Sequence, residues 1–97
     1  MEDDGVMEDE KGPVIDELDD YELRYKFGRI TVHGRRFISS DKVIIDGKAY
    51  PTTFVSTIRL FLDVKKSNNM RPGTYGLSVG NLQTEGRRSN VVWLTVG

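Results

Sequence analysis

The sequence predicts an all-β protein, an antiparallel β-sandwich of about seven strands. Two observations carry this. The runs ITVHGRRF, KVIIDGKAYPTTFVS, RPGTYGLSVGN and SNVVWLTV alternate apolar and polar residues between Arg29 and Gly97, and a period of two marks strands with one face on a core. Asp-Gly, Pro-Gly and Ser-Asn pairs punctuate the runs, supplying the turns that antiparallel strands need. At 97 residues the chain can build one modest core and not two.

Residues 1–12 (MEDDGVMEDEKG) show no periodicity and read as an acidic N-terminal arm, with residues 13–97 forming the sandwich. Gly12-Pro13 punctuates, and Val14, Ile15 and Leu18 open a first strand at a sheet edge. Tyr21, Leu23, Tyr25 and Phe27 alternate with Glu22, Arg24 and Lys26, which predicts a strand exposed on one side. Ile30 and Val32 then point inward with Thr31 and His33 outward, Gly34 ends that strand, and Phe37 plugs the core. Val43 and Ile45 point in and Ile44 out, ahead of a two-residue hairpin turn at Asp46-Gly47. Ile58, Leu60, Leu62 and Val64 make the cleanest alternation, with Arg59, Phe61, Asp63 and Lys65 opposite. A polar loop runs from Lys65 to Gly73. Beyond it Tyr75, Leu77 and Val79 face in against Thr74, Gly76 and Ser78, and Val92, Leu94 and Val96 face in against Val91, Trp93 and Thr95.

The net charge of −1 hides a division of charge. Residues 1–22 hold eleven acids against Lys11 alone, a net of −10, while residues 23–97 hold thirteen Lys and Arg against Asp41, Asp46, Asp63 and Glu85, a net of +9. This is an acidic tail on a basic body. Asp3, Asp4, Glu8, Asp9 and Glu10 belong either to a solvated arm lying loosely on its own domain or to an arm that docks on a partner's basic surface. A segment of this composition does not order by itself.

The segments resemble the IPT/TIG domains, immunoglobulin-like sandwiches shared by plexins, Rel-type transcription factors, bacterial surface proteins and phage virion proteins. Val32 with Gly34, Phe37, the Asp46-Gly47 hairpin, Pro72-Gly73-Thr74-Tyr75 and Ser89-Asn90-Val91-Val92 carry the resemblance, which spans residues 13–97. It implies an immunoglobulin-like strand arrangement and specifies function hardly at all. The chain departs from the family before the second strand, where a Pro- and Gly-rich stretch is usual and Tyr21 to Gly28 has one glycine.

Catalysis finds little support. His33 is the sole histidine, cysteine is absent, and the body's four carboxylates are scattered. No nucleophile–base pair, coupled acid/base pair or thiolate metal site can be drawn from this inventory. Asp16, Glu17, Asp19 and Asp20 attract cations without the spacing of a dedicated calcium loop. No glycine-rich phosphate loop precedes a helix, so no cofactor is expected. No apolar run approaches the roughly 20 residues of a membrane span. No export signal opens the chain, although it is also readable as a piece of a longer exported protein.

Two binding candidates remain. In an immunoglobulin-like sandwich the loops carrying Arg35 and Arg36 and those carrying Arg87 and Arg88 lie at the same end. Four guanidiniums there form either an ordinary solvated rim or a site for phosphate, carboxylate or an acidic protein surface; nucleic acid is disfavoured by the acidic arm. Trp93 alternates outward beside Gly76 and Ser78, as an anchor for a partner or a stacking platform for a sugar. A one-residue slip in register would instead make it core. The expectation is a non-enzymatic structural or binding module. Its most concrete setting is a phage virion accessory protein, on a capsid or tail, with a multi-copy protein partner and host surface glycan as a further contact. The alternative is a carbohydrate- or protein-binding module of a larger bacterial surface protein or glycan-active enzyme.

Overall fold

The computed structural model describes residues 12–24, 27–65, 68, 70–83 and 87–97. Among them nine strands follow in chain order: Val14–Leu18 (β1), Glu22–Leu23 (β2), Gly28–Arg35 (β3), Lys42–Ile45 (β4), Lys48–Tyr50 (β5), Thr52–Ser56 (β6), Arg59–Val64 (β7), Gly73–Gly80 (β8) and Val92–Val96 (β9). They form two sheets, β1-β3-β7-β6 and β2-β9-β8-β4-β5. Neighbours are antiparallel throughout, except that β2 pairs parallel with β9.

The alternation dictates the core. Ile30, Val32, Leu60, Leu62 and Val64 from the first sheet meet Val43, Ile45, Leu77, Val79, Leu94 and Val96 from the second in one buried cluster. Each fully buried side chain of this size contributes about 1.5–3 kcal/mol over its exposed state. Phe37 closes one end of the cluster, fully buried beneath the β3–β4 connection. At the opposite end of β4, Asp46 and Gly47 both take positive φ (55° and 76°), the geometry a two-residue hairpin requires and the reason glycine serves at the second position.

Several expectations change. Nine strands replace about seven, because Pro51 lacks an N–H and divides AYPTTF into β5 on one sheet and β6 on the other. The Tyr21 to Phe27 strand contracts, among described residues, to Glu22–Leu23; Tyr25 and Lys26 lie outside the described residues. Turn chemistry takes the chain that precedes it. The Leu18 amide donates to the Tyr21 hydroxyl (3.2 Å), the Thr31 amide to Asp19 (2.9 Å) and the Glu22 amide to Asp20 (3.0 Å). The acids at 19 and 20 thus serve as backbone acceptors.

Ile58 stands in the β6–β7 turn, largely exposed, so the β7 alternation begins one step later than its pattern suggests. Ile44 alternates out of the main cluster yet is buried. Gly34 does not end β3, which continues to Arg35. Its role is close approach: a Cβ there would collide with the Val14 carbonyl and come within 2.6 Å of the Phe37 ring.

Candidate functional site

Three connections and the root of the N-terminal arm gather at one end of the sandwich. The β6–β7 turn is tied to the end of β3 and its following loop, with the Gly34 amide donating to the Ile58 carbonyl (3.0 Å) and the Phe37 amide to the Thr57 carbonyl (2.9 Å). The β8–β9 connection reaches the same loop through Arg87 Nη2, which donates to the Arg36 carbonyl (2.9 Å). Arg36 Nε in turn donates to the Gly12 carbonyl (3.0 Å). Arg36 holds this position with φ of 62°, a left-handed conformation uncommon outside glycine. Arg35, Arg36, Arg87 and Arg88 therefore share one end.

Their situations differ. The Arg87 guanidinium forks onto Asp41, with Nε–Oδ1 and Nη2–Oδ2 both 2.8 Å, and the two side chains are 13% and 0% exposed. Asp41 Oδ2 also accepts the Ile38 amide (2.9 Å). Arg87 is therefore committed inside the fold, where it locks the β3–β4 and β8–β9 connections together. Arg35 makes an exposed pair with Asp16 (3.2 Å), a kind worth little in water. Arg88 is exposed, and its backbone bridges Gly80. The three connections also present aliphatic side chains to solvent, among them Ile38 (44% exposed), Ile58 (55%) and Leu82 (50%). Asp3, Asp4, Glu8, Asp9 and Glu10 lie outside the described residues.

Asn90 fastens this end, which the sequence did not suggest. Its Oδ1 accepts the Ile15 amide (2.8 Å) and its Nδ2 donates to the Ile15 carbonyl (3.0 Å), so one side chain completes a ladder step for β1. Beside it, Ser89 Oγ accepts the Val79 amide (2.8 Å) and donates to the Asn90 carbonyl.

The second surface is the outer face of the β9–β8 pair. Trp93 is 63% exposed and sits across from Gly76 in the ladder. A Cβ on Gly76 would lie 3.2 Å from Val91 Cγ1 and 3.5 Å from the indole, so both side chains converge over the bare glycine backbone. Ser78 and Ile44, paired next to each other on the same sheet, are buried. The result is an indole and a valine displayed on a small-residue floor. Phe61, which also alternates outward on its strand, is not displayed in this way. The Arg29 guanidinium covers the Phe61 ring at 4.7 Å from its centroid and forks onto Asp63 (2.9 and 3.4 Å), a hydrogen bond that holds Arg29 above its ordinary pKa.

Two open clefts also lie among the described residues. One, of about 770 Å³, is lined by Phe27, Arg29, Lys42, Thr53, Asp63 and Lys65. The other, of about 310 Å³, is lined by Asp46, Lys48, Tyr50, Arg71 and Tyr75. Burial, then the nearby Tyr75 and Asp46, push the Tyr50 phenol above its ordinary value. His33 stands in the ladder between Glu17 and Arg59. Among the described residues no three His, Asp or Glu side chains converge as a metal site, and no helix is long and apolar enough to cross a membrane. No protein-family model matches the chain, and no characterised protein matches it in sequence.

Proposed function

We propose that this chain is a non-enzymatic docking module with an immunoglobulin-like fold of the IPT/TIG kind. Strand order supports the fold reading. Lettered A, A′, B, C, C′, D, E, F and G along the chain, the nine strands fall into the sheets ABED and A′GFCC′, an arrangement akin to variable-type immunoglobulin domains. Tyr75, near the start of the F-like strand, donates its hydroxyl to the Arg71 carbonyl (2.7 Å), as the tyrosine corner of such domains does.

The docking reading rests on Trp93, displayed beside Val91 over Gly76. Large aromatic side chains dominate binding energy when a partner covers them, and the domain's own core makes no use of this one. The setting we propose is a phage virion accessory protein that docks on a capsid or tail through this face and its acidic arm. Many weak contacts on a lattice then add up through effective concentration. The flat, exposed indole favours a second reading in which the same platform stacks on a sugar ring, as a module of a bacterial surface protein.

Trp93 is the sole tryptophan, so fluorescence reports its surroundings directly. Added to virion shells stripped of the protein, the chain is expected to bind with a blue shift in emission. Trp93→Ala should weaken binding about 30-fold, the equivalent of roughly 2 kcal/mol for an anchoring aromatic. A shift with soluble oligosaccharides and none with shells refutes the virion setting in favour of the sugar reading. No shift with either refutes the Trp93 face.

A further inference from the structure

We propose that the cleft beside the β4–β5 hairpin binds a small organic carboxylate, which accepts a hydrogen bond from the Tyr50 hydroxyl. The cleft lies at the end of β4 away from Arg35, Arg36, Arg87 and Arg88. Tyr75 reaches it from the inner side of β8, whereas Trp93 stands on the outer side over Gly76. The site therefore does not depend on the docking reading.

Tyr50 brings an unused donor to the cleft. It is 8% exposed, and its ring belongs to the core cluster. Outside the ladder, Tyr50 is bonded through its carbonyl, which accepts from Thr52 Oγ1 (2.8 Å). Its hydroxyl has no protein partner among the described residues, although a buried phenol normally finds one. A phenylalanine would fill the core equally well, so packing does not account for the oxygen. Tyr75, on the same cleft, shows the usual case, with its hydroxyl donating to the Arg71 carbonyl (2.7 Å). Burial first, then Tyr75 and Asp46, raise the Tyr50 pKa. Both of those neighbours line the cleft, which sets the phenol oxygen on that side.

The rim selects the ligand. Lys48 and Arg71 stand there against Asp46, a net of +1, all three exposed. None of them is in an ion pair among the described residues. Together with the phenol they offer three donor groups and one carboxylate, a balance that suits an oxyanion. A net of +1 matches a monoanion, whereas a phosphate dianion brings twice the charge against Asp46. Ile45 and Met70, 0% and 6% exposed, line the same cleft, so the stem of the carboxylate meets apolar atoms. At about 310 Å³ the cleft sits at the lower end of the roughly 300–1,000 Å³ of small-molecule sites.

The test is a titration of the full chain with sodium benzoate at constant ionic strength, read from the ring signals of ¹³C-labelled tyrosine. Benzyl alcohol and inorganic phosphate are the comparison probes. Saturable shifts at Tyr50 and Tyr75 are expected with benzoate, with a Kd of about 10 mM or tighter for so few atoms. Both other probes should bind more weakly. Tyr50→Phe keeps the ring and removes the donor. Read at Tyr75, it should weaken benzoate about tenfold or more, the worth of a hydrogen bond to a charged group. The variant should be at least as stable as the parent at neutral pH, because the hydroxyl has no partner to lose. Asp46→Asn should tighten benzoate, and asparagine tolerates the left-handed turn position (φ 55°). No saturable shift overturns the proposal. Benzyl alcohol binding as tightly as benzoate overturns it by making the cleft an apolar site. Phosphate binding more tightly than benzoate overturns the choice of carboxylate. Unchanged benzoate affinity in Tyr50→Phe overturns the phenol as donor.

Discussion

Arg87→Ala is expected to be among the most damaging substitutions of a charged residue in this domain. It would leave the Asp41 carboxylate, with no exposed side-chain surface, holding one hydrogen bond from the Ile38 amide in place of a fork and that bond. It would also remove the tie to the Arg36 carbonyl. Breaking a buried ion pair by deleting one partner costs about 3–5 kcal/mol, against a total stability of about 5–15 kcal/mol for domains in general. With a urea slope of about 1.5 kcal/mol/M, within the range for small proteins, the midpoint should fall by roughly 2–3 M, followed by far-ultraviolet circular dichroism. The double variant Arg87→Met with Asp41→Leu separates the pair from its burial. Replacing both charges by apolar groups is often neutral or stabilising by about 1–4 kcal/mol, so the double variant should recover most of the loss. A loss below about 1 kcal/mol for Arg87→Ala would rank the pair with exposed salt bridges and refute the assignment of Arg87 as the lock between the two connections. A double variant as unstable as the sum of the single ones would refute the coupling.

Three other outcomes follow from the same geometry. Gly34→Ala should cost about 1–3 kcal/mol or more, as overpacking does, and speed hydrogen exchange along β1, since the new methyl meets the Val14 carbonyl and the Phe37 ring. Asn90→Ala deletes both bonds to Ile15; a loss of about 1–3 kcal/mol is expected for stranded polar groups, with faster exchange of the Ile15 amide while β7 stays protected. The Tyr50 phenol is raised, chiefly by burial, so its contribution is complete below the ordinary value of about 10 and lost as pH rises through the higher folded value. Unfolding midpoints should decline above pH of about 10 and decline less in Tyr50→Phe; equal slopes would refute the assignment.

The sequence made the two facing layers readable because burial on one side imposes a period of two. Ile30 and Val32, Leu60 to Val64, and Leu94 to Val96 could hardly be placed otherwise. The same signal failed where side chains keep alternating after the backbone has left the ladder, as at Ile58 and around Tyr21. Periodicity records which way a side chain points and is blind to where an amide finds its acceptor. Polar residues were the least legible. Asp41 and Arg87, 46 positions apart, look like ordinary surface charges until the fold brings them together, and Asn90 looks like a turn residue until its amide meets Ile15. Of the candidate site, the outward Trp93 followed from strand alternation, while the aliphatic residues on the loop tips carried no pattern of their own.

The parallel pairing of β2 with β9 has a mechanical consequence. The Thr95 amide donates to the Tyr21 carbonyl (2.9 Å) and the Gly97 amide to the Leu23 carbonyl (3.0 Å), so an early segment and the last strand run side by side in one direction. A tension applied between Gly12 and Gly97 drags these two segments past one another and loads their hydrogen bonds together, where an antiparallel pair pulled from one end would open bond by bond. The domain is therefore built to resist being pulled from its two termini. Single-molecule pulling should show one high-force rupture that weakens when Thr95→Pro removes the amide that donates to Tyr21; a rupture force unchanged by that substitution would place the resistance elsewhere.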